Sequence, residues 1–207
     1  VSWLPLYHDM GLIGFVIAPI CHGVPIVFIP TLRFIKRPSV WLDTIHRHRG
    51  SASFAPNFAY ALATRRVKNS DLEKWDLSCL KVLGCGAEPI QAETMRAFVD
   101  KFHTNCNLPA NAIMPAYGMA EATLAITLKP APDTMTTFTL DAERFSETGE
   151  VVAPNEGRAA AEHVACGVPF EGHEVAIMDA DGHVLGELRE GEICHRGPSV
   201  TPGYFQN

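Results

Sequence analysis

The chain has 207 residues, 47% of them hydrophobic and 19% charged, with 16 glycines and 15 prolines. That composition excludes a disordered segment, a collagen-like repeat and a coiled coil, and leaves a globular protein with enough apolar residue for a sizeable core. The net charge of -6 is unevenly placed, since residues 1–68 hold eight Lys/Arg against two Asp/Glu and the remainder carries the acidic excess. A basic half suits either an anionic ligand or plain solvated helix faces, as its cations fall in pairs at element ends. Cys21, Cys79, Cys85, Cys106, Cys166 and Cys194 show no C-x-x-C spacing. That argues against a zinc site and for reduced thiols in a cytoplasmic protein.

In chain order, Met10 to Pro30 is free of Asp, Glu, Lys and Arg. It is long enough for a membrane span, but Gly11, Gly14, Pro19, Gly23 and Pro25 divide it into a helix-sized and a strand-sized piece. The expectation is a buried helix followed by a buried strand, Val24 to Ile29, and no membrane span. Pro38 opens a helix through about Arg49, with Val40, Trp41 and Ile45 on one side. Ala52–Phe54 reads as a short strand. Asn57 to about Val67 reads as a helix with Arg65 and Arg66 at its far end, where cations suit the dipole. Leu80–Leu83 reads as a strand, Ile90 to about Phe102 as a helix with Met95, Phe98 and Phe102 on one face, and Ala112–Pro115 as a strand. Strand, turn, helix and strand in repetition predict an α/β fold, a mostly parallel sheet flanked by helices. From Leu128 to His163 no period is sustained and the composition is acidic, net -4. After it comes a smaller β-rich C-terminal part, with strands at His173–Met178 and Gly191–His195 about a -DADGH- turn. The organisation expected is therefore 1–127, an irregular insertion over 128–163, and 164–207.

Three places carry chemistry. In Trp3-Leu-Pro-Leu-Tyr-His-Asp-Met-Gly-Leu-Ile-Gly14, His8 and Asp9 stand where a strand-like segment meets a helix, the end of open α/β sheets that holds ligands. Equally, Asp9 could cap the helix with His8 packed beside it. In Leu83-Gly-Cys-Gly-Ala-Glu-Pro89, glycine after a buried strand lets a phosphate or base approach the backbone. A plain tight turn is the alternative, and a dinucleotide fingerprint is a poor match because its third glycine is missing. In Ala116-Tyr-Gly-Met-Ala-Glu-Ala-Thr123, Tyr117 offers a ring for stacking on a base. Gly118 allows close passage of the chain, and Glu121 is either a carboxylate for Mg²⁺ beside phosphates or a helix-end acid.

The order and spacing of these segments resemble the adenylate-forming superfamily of acyl-CoA synthetases, luciferases and adenylation domains, and within it the fatty acyl-AMP ligases. The words that carry the resemblance are WLPLYHDMGLIG, RPSVWLDTIHRHR, APNFAYAL, GCGAEPI with QAETMRAF, AYGMAEATL, VACGVPFEGHEVAIMD and GEICHRGPSVTPGYF. They cover nearly the whole chain. Ala120, where most of the superfamily has Thr, is similar to the ligase branch, and residues 128–163 fall where that branch carries an extra insertion.

The resemblance implies that Gly86, Ala87 and Glu88 line one face of adenine and that Tyr117 stacks on the other, with Gly118 and Met119 alongside. It implies that Glu121 holds Mg²⁺ on the ATP phosphates and that His8 sits between the acyl pocket and the α-phosphate. Asn57, Phe58 and Tyr60 would border the acyl tunnel, with Gly14 and Val16 of the first helix beside them. The reaction implied is attack of a fatty acid carboxylate on ATP, giving acyl-AMP and pyrophosphate. The acyl group then passes to an acyl carrier protein or a polyketide synthase carrier domain, or in the synthetase branch to CoA. A nucleic-acid partner is not implied. The chain opens at Val1 inside an apolar motif, which reads as the middle of a longer protein. The phosphate loop with its Lys would lie before it, and the ribose-binding Asp and lid Lys after it. Alone it is expected to be inactive, and a non-catalytic adenylate-binding or scaffolding fragment is the reading from a different class.

Overall fold

The computed structural model describes residues 1–130 and 132–206. The first helical stretch begins at α1 (Asp9–Leu12), continues through a π-helical turn at Ile13–Ile17 and ends in α2 (Ala18–His22). Gly23, at φ +63°, stops it in the left-handed conformation that a residue without Cβ adopts freely. The strand expected over Val24–Ile29 is not there. Only Phe28 bridges to Ser2, and Val24 and Phe28 remain about half exposed. The run is apolar because Val24, Pro25, Ile26 and Val27 line a cavity, not because they sit in a sheet.

Next come α3 (Thr31–Lys36) and α4 (Ser39–His48), the latter with Pro38 at its N-cap. Val40, Trp41 and Ile45 of α4 are buried, as the spacing predicts. They are followed by β1 (Ala52–Ala55), α5 (Asn57–Arg66), the single turn α6 (Asn69–Leu72) and β2 (Val82–Cys85). Strand β2 lies two residues later than the apolar run suggests, since Val82 is its first residue in register with β1. Helix α7 (Ala92–Cys106) buries Met95, Phe98 and Phe102. Then come β3 (Ile113–Gly118) and β4 (Ala125–Leu128).

The 128–163 segment, expected to be irregular, contains β5 (Thr137–Asp141) and α8 (Ala142–Thr148), and β6 (Ala160–Val164) closes the hairpin at its end. β5 and β6 pair antiparallel over five residues. Asp141 caps α8 by accepting the Arg144 amide, 3.0 Å, and the Arg96 guanidinium on α7 donates two bonds to Glu162 on β6. The remaining strands are β7 (Val168–Pro169), β8 (Glu174–Met178) and β9 (Glu192–Arg196).

The main sheet runs β1-β2-β3-β4-β7. Its first three strands are parallel and the last two join antiparallel. The sheet thus draws its fifth strand from beyond the hairpin. β8 and β9 form a second two-stranded sheet. An aromatic core joins the helices to the main sheet. Trp3 stacks on Phe34 at 3.9 Å, Trp41 meets Tyr60 edge-on at 5.5 Å, Tyr60 meets Phe98 at 5.0 Å, and Phe98 meets Phe102 at 4.6 Å. Offset and edge-on contacts of this kind add about 0.5–1.5 kcal/mol each beyond the area they bury. Trp41 Nε1 donates to Ser53 Oγ, which donates to the Val1 carbonyl, whereas Trp3 Nε1 is buried without a partner among the described residues. Among the described residues no helix is long and apolar enough to cross a membrane.

Candidate functional site

β2 and β3 end side by side, with Cys85 in register with Pro115. Each is followed by a loop at its carboxyl end, the place where open α/β sheets take ligands. After β2 comes Gly86. A Cβ there would lie 2.9 Å from the Ala116 carbonyl, so glycine lets the loop after β2 lie close against β3. Ala87 follows at φ +69°, a conformation costing roughly 1–2 kcal/mol for a residue with a Cβ. Strain of this size persists only where the surroundings enforce it.

The enforcing contacts come from α5. The Phe58 amide donates to Glu88 Oε1 at 2.6 Å, and the Gln91 amide donates to Asn57 Oδ1 at 3.0 Å. Each side chain serves the backbone of the other segment, so the loop 86–91 and the first turn of α5 are locked together. The resemblance implies a place beside adenine for the Glu88 backbone and one on the helix bordering the acyl tunnel for Asn57. Their side chains are committed to holding the loop, and neither lines the cavity.

After β3 the pairing with β4 slips by one residue between Tyr117 and Gly118. A bulge of this kind turns a side chain away from its regular direction. Gly118 is required by space: a Cβ there would meet the Leu124 carbonyl oxygen at 2.0 Å.

These loops and the first helix enclose a cavity of about 1090 Å³. His8, Gly86, Ala87, Tyr117, Gly118 and Met119 all line it. Gly14, Phe15, Ala18, Ile26, Val27, Phe54 and Leu124 give it a largely apolar lining, with His22, His48, Arg49 and Ser51 also on it. The π-helical turn bulges the first helix at Gly14–Phe15, an irregularity common at functional sites. Phe15, Ala18 and Phe54 could not be singled out from the sequence, because aromatic and small residues on a helix or strand read as core. Val16, expected beside Gly14, does not line the cavity. Tyr60, expected at the tunnel, is fully buried in the aromatic core and its hydroxyl donates to the Gly84 carbonyl at 2.5 Å. Phe58 is 43% exposed and packs edge-on against Trp3, outside the cavity lining.

His8 is the N-cap of α1. Its Nδ1 lies 2.6 Å from Asp9 Oδ1 and accepts from the Met10 amide at 3.2 Å, and the same amide donates to Asp9 Oδ1 at 2.6 Å. Among the described residues Nε2 has no partner. Glu121 follows Ala120, a lining residue, in a single 3₁₀ turn, Ala120–Ala122. The Tyr204 hydroxyl donates to its Oε1 at 2.5 Å. That bond, with a smaller part from the backbone, holds the Glu121 carboxyl below the usual carboxylate range. An ionised carboxylate with one oxygen uncommitted fits a hard cation. Cys85, just before the glycine loop, is buried, which pushes its thiol well above the ordinary range and makes it a packing residue rather than a nucleophile.

The site is thus a sheet with glycine-containing segments at two adjacent strand ends and a tyrosine beside the cavity, with the Glu121 carboxylate one residue beyond the lining Ala120. Residues 1–205 match the AMP-binding enzyme family, and the chain belongs to it. It is 38% identical over 208 residues to a putative acyl-CoA synthetase of Caulobacter vibrioides, a match spanning 100% of this chain and 36% of that protein. It is 35% identical over 213 residues to the medium-chain-fatty-acid–[acyl-carrier-protein] ligase TtuA of Teredinibacter turnerae, spanning 100% and 32%. Among solved structures, the fatty acyl-adenylate ligase from L. pneumophila in complex with acyl adenylate and pyrophosphate superposes with a TM-score of 0.93 at 33% identity, covering 100% of this chain and 36% of that one. A structure from studies of fatty acyl-adenylate ligases from E. coli and L. pneumophila gives 0.97 at 39%, covering 100% and 38%. The chain thus spans between 32% and 38% of the length of these relatives.

Proposed function

We propose that the protein carrying this chain activates a fatty acid with ATP to an acyl-adenylate and passes the acyl group to a carrier protein. The observation that carries the reading is that one cavity is lined both by Gly86, Ala87, Tyr117 and His8 and by apolar side chains of the first helix, β1 and residues 24–27. The first set suits a nucleotide, and the apolar lining suits an alkyl chain.

In this reading adenine lies between the Tyr117 ring and the Gly86–Ala87 backbone. Glu88 contributes through its backbone and through the bond that fixes the loop to α5. His8 stands between the acyl chain and the α-phosphate. Its Nδ1 is taken up by Asp9 and the Met10 amide, which leaves Nε2 for an oxygen of the carboxylate or the α-phosphate. Glu121 is the residue that would hold Mg²⁺, which supplies charge neutralisation on the phosphates. The chemistry rests on positioning and charge, with no covalent step on a side chain.

The test is acid-dependent ATP–pyrophosphate exchange by the intact protein with fatty acids of graded chain length. Glu121→Ala is expected to lower it by about 10²–10³-fold, the loss typical of one transition-state electrostatic contact. Acyl-AMP that accumulates beside untouched CoA and moves to a phosphopantetheine carrier supports the ligase. Rapid CoA thioester formation supports the synthetase instead. Exchange with aryl acids alone would remove the fatty acid from the proposal.

A further inference from the structure

The turn that presents Glu121 is held from far along the chain. The residue that caps it, Thr123, sits at φ 68°, ψ -52°, strained for a β-branched side chain. Three hydrogen bonds from one short stretch keep it there. Thr123 Oγ1 donates to the Ser199 carbonyl at 2.8 Å, the Thr201 amide donates to the Glu121 carbonyl at 2.8 Å, and the Tyr204 hydroxyl donates to Glu121 Oε1 at 2.5 Å. Gly203, at φ +128°, makes the turn that brings the chain back from Thr201 so that Tyr204 reaches the same residue. The stretch is itself anchored: Ser199 Oγ bonds His173 Nε2 at 2.8 Å, and Gly197 leaves room for that imidazole, since a Cβ there would lie 2.2 Å from its Cδ2.

We propose that Tyr204 is a positioning residue for the metal-binding carboxylate: its hydroxyl fixes Oε1 of Glu121 so that Oε2 is presented to Mg²⁺. A glutamate side chain on an open turn loses rotamer freedom when it takes a ligand. A carboxylate already fixed by an O–H donor has lost much of it beforehand, so the cation binds more tightly. The inference rests on the reading of Glu121 as the Mg²⁺ ligand. It adds that the metal site is completed by the β-rich C-terminal part, 83 residues away along the chain.

The experiment uses the intact protein and three variants, Tyr204→Phe, Tyr204→Ala and Glu121→Gln. Mn²⁺ binding in the presence of a non-hydrolysable ATP analogue is followed by electron paramagnetic resonance. The Mg²⁺ dependence of pyrophosphate exchange is measured beside it. Tyr204 is 63% exposed, so its ring adds little to the fold, and thermal unfolding checks that each variant is native. Both Tyr204 variants should weaken Mn²⁺ binding and raise the half-saturating Mg²⁺ by about 5- to 10-fold, the size of one hydrogen bond to a charged group in a partly exposed place. kcat at saturating Mg²⁺ should stay within about twofold, because the carboxylate remains available once excess cation drives it into place.

If Tyr204→Phe binds Mn²⁺ like the parent while Glu121→Gln does not, the positioning role is wrong and the Glu121 reading stands. If Glu121→Gln also binds normally, both fall. An effect of Tyr204→Ala without one of Tyr204→Phe, or a loss of kcat with no change in cation dependence, would overturn the proposal in favour of simple packing.

Discussion

Gly118→Ala is the sharpest test of how the nucleotide end of the cavity is built. The glycine is not in the left-handed region, so backbone conformation does not demand it. Space does. An added Cβ would meet the Leu124 carbonyl oxygen at 2.0 Å and Ala125 Cα at 2.7 Å, both backbone atoms of the paired segment. Relieving that contact means moving β4 and its preceding turn by roughly 1 Å, since these atoms have no flexible end to swing aside. Overpacking of this kind costs about 1–3 kcal/mol, and a backbone obstacle puts it at the upper end. Tyr117 is the adjacent residue and sits at the bulge, so the same shift displaces its ring. A displacement of about 1 Å in a positioning group can lower a reaction by about 10²-fold. Urea unfolding of the intact protein should therefore show a lower midpoint, and pyrophosphate exchange should fall by about that factor. Gly172→Ala is the matched control. Gly172 has φ +76° and nothing within 4 Å of a Cβ, so it pays the conformational cost, roughly 1 kcal/mol, without the clash, and exchange should be unchanged. Exchange by Gly118→Ala within twofold of the parent, with an unchanged midpoint, would show that the close approach at Gly118 does not set the position of Tyr117.

Three further outcomes are expected. Tyr60→Phe removes a fully buried hydroxyl bonded to the Gly84 carbonyl, so it should cost about 1–2 kcal/mol in urea unfolding while leaving the KM for fatty acid unchanged. Glu162 is held down to about 2, chiefly by the Arg96 guanidinium, from an ordinary value of 4.5. A lowered carboxyl stabilises above its unfolded value and loses that contribution as pH falls, so the Tm difference between the parent and Glu162→Gln should be present above about pH 4.5 and vanish toward pH 2. Replacing residues 137–164 by a short Gly/Ser linker should leave acyl-AMP formation intact. If the hairpin is what keeps CoA from serving as acceptor, CoA thioester should then appear, and continued absence of thioester would remove that role from the segment.

The sequence made the parallel part of the sheet legible because its strands are short runs punctuated by glycine or proline, as at Ala52–Phe54 before Pro56 and at the turn after Leu83. It made Gly86 and Tyr117 legible as candidates, and both line the cavity, because each stands at the end of such a run. Val24–Ile29 misled for the same reason: a cavity wall and a buried strand are apolar alike, and periodicity does not separate them. The hairpin β5–β6 was invisible because three of the five β6 residues are exposed and none is buried, so it shows no hydrophobic alternation. The bonds of Asn57 to Gln91 and of Glu88 to Phe58 join residues 34 and 30 positions apart. Nothing local in the sequence marks a carboxylate or amide that caps a helix it does not belong to. Tyr60 shows the converse, a tyrosine in a motif-bearing helix whose hydroxyl is spent on the core.

Leu128 and Val168 are register partners in adjacent strands, and Gly167 passes so close to the Leu128 carbonyl that only glycine is accommodated. Everything between them leaves the sheet and returns to it through one narrow gate. The entropy of closing such an excursion grows only slowly with its length. The gate therefore works as a splice point. Material can be lengthened, shortened or exchanged there while β4 and β7 stay paired and the ligand-bearing strand ends keep their places. A reporter module or a foreign recognition loop inserted at this position should fold as an appendage, leaving the cavity between the first helix and β3 undisturbed.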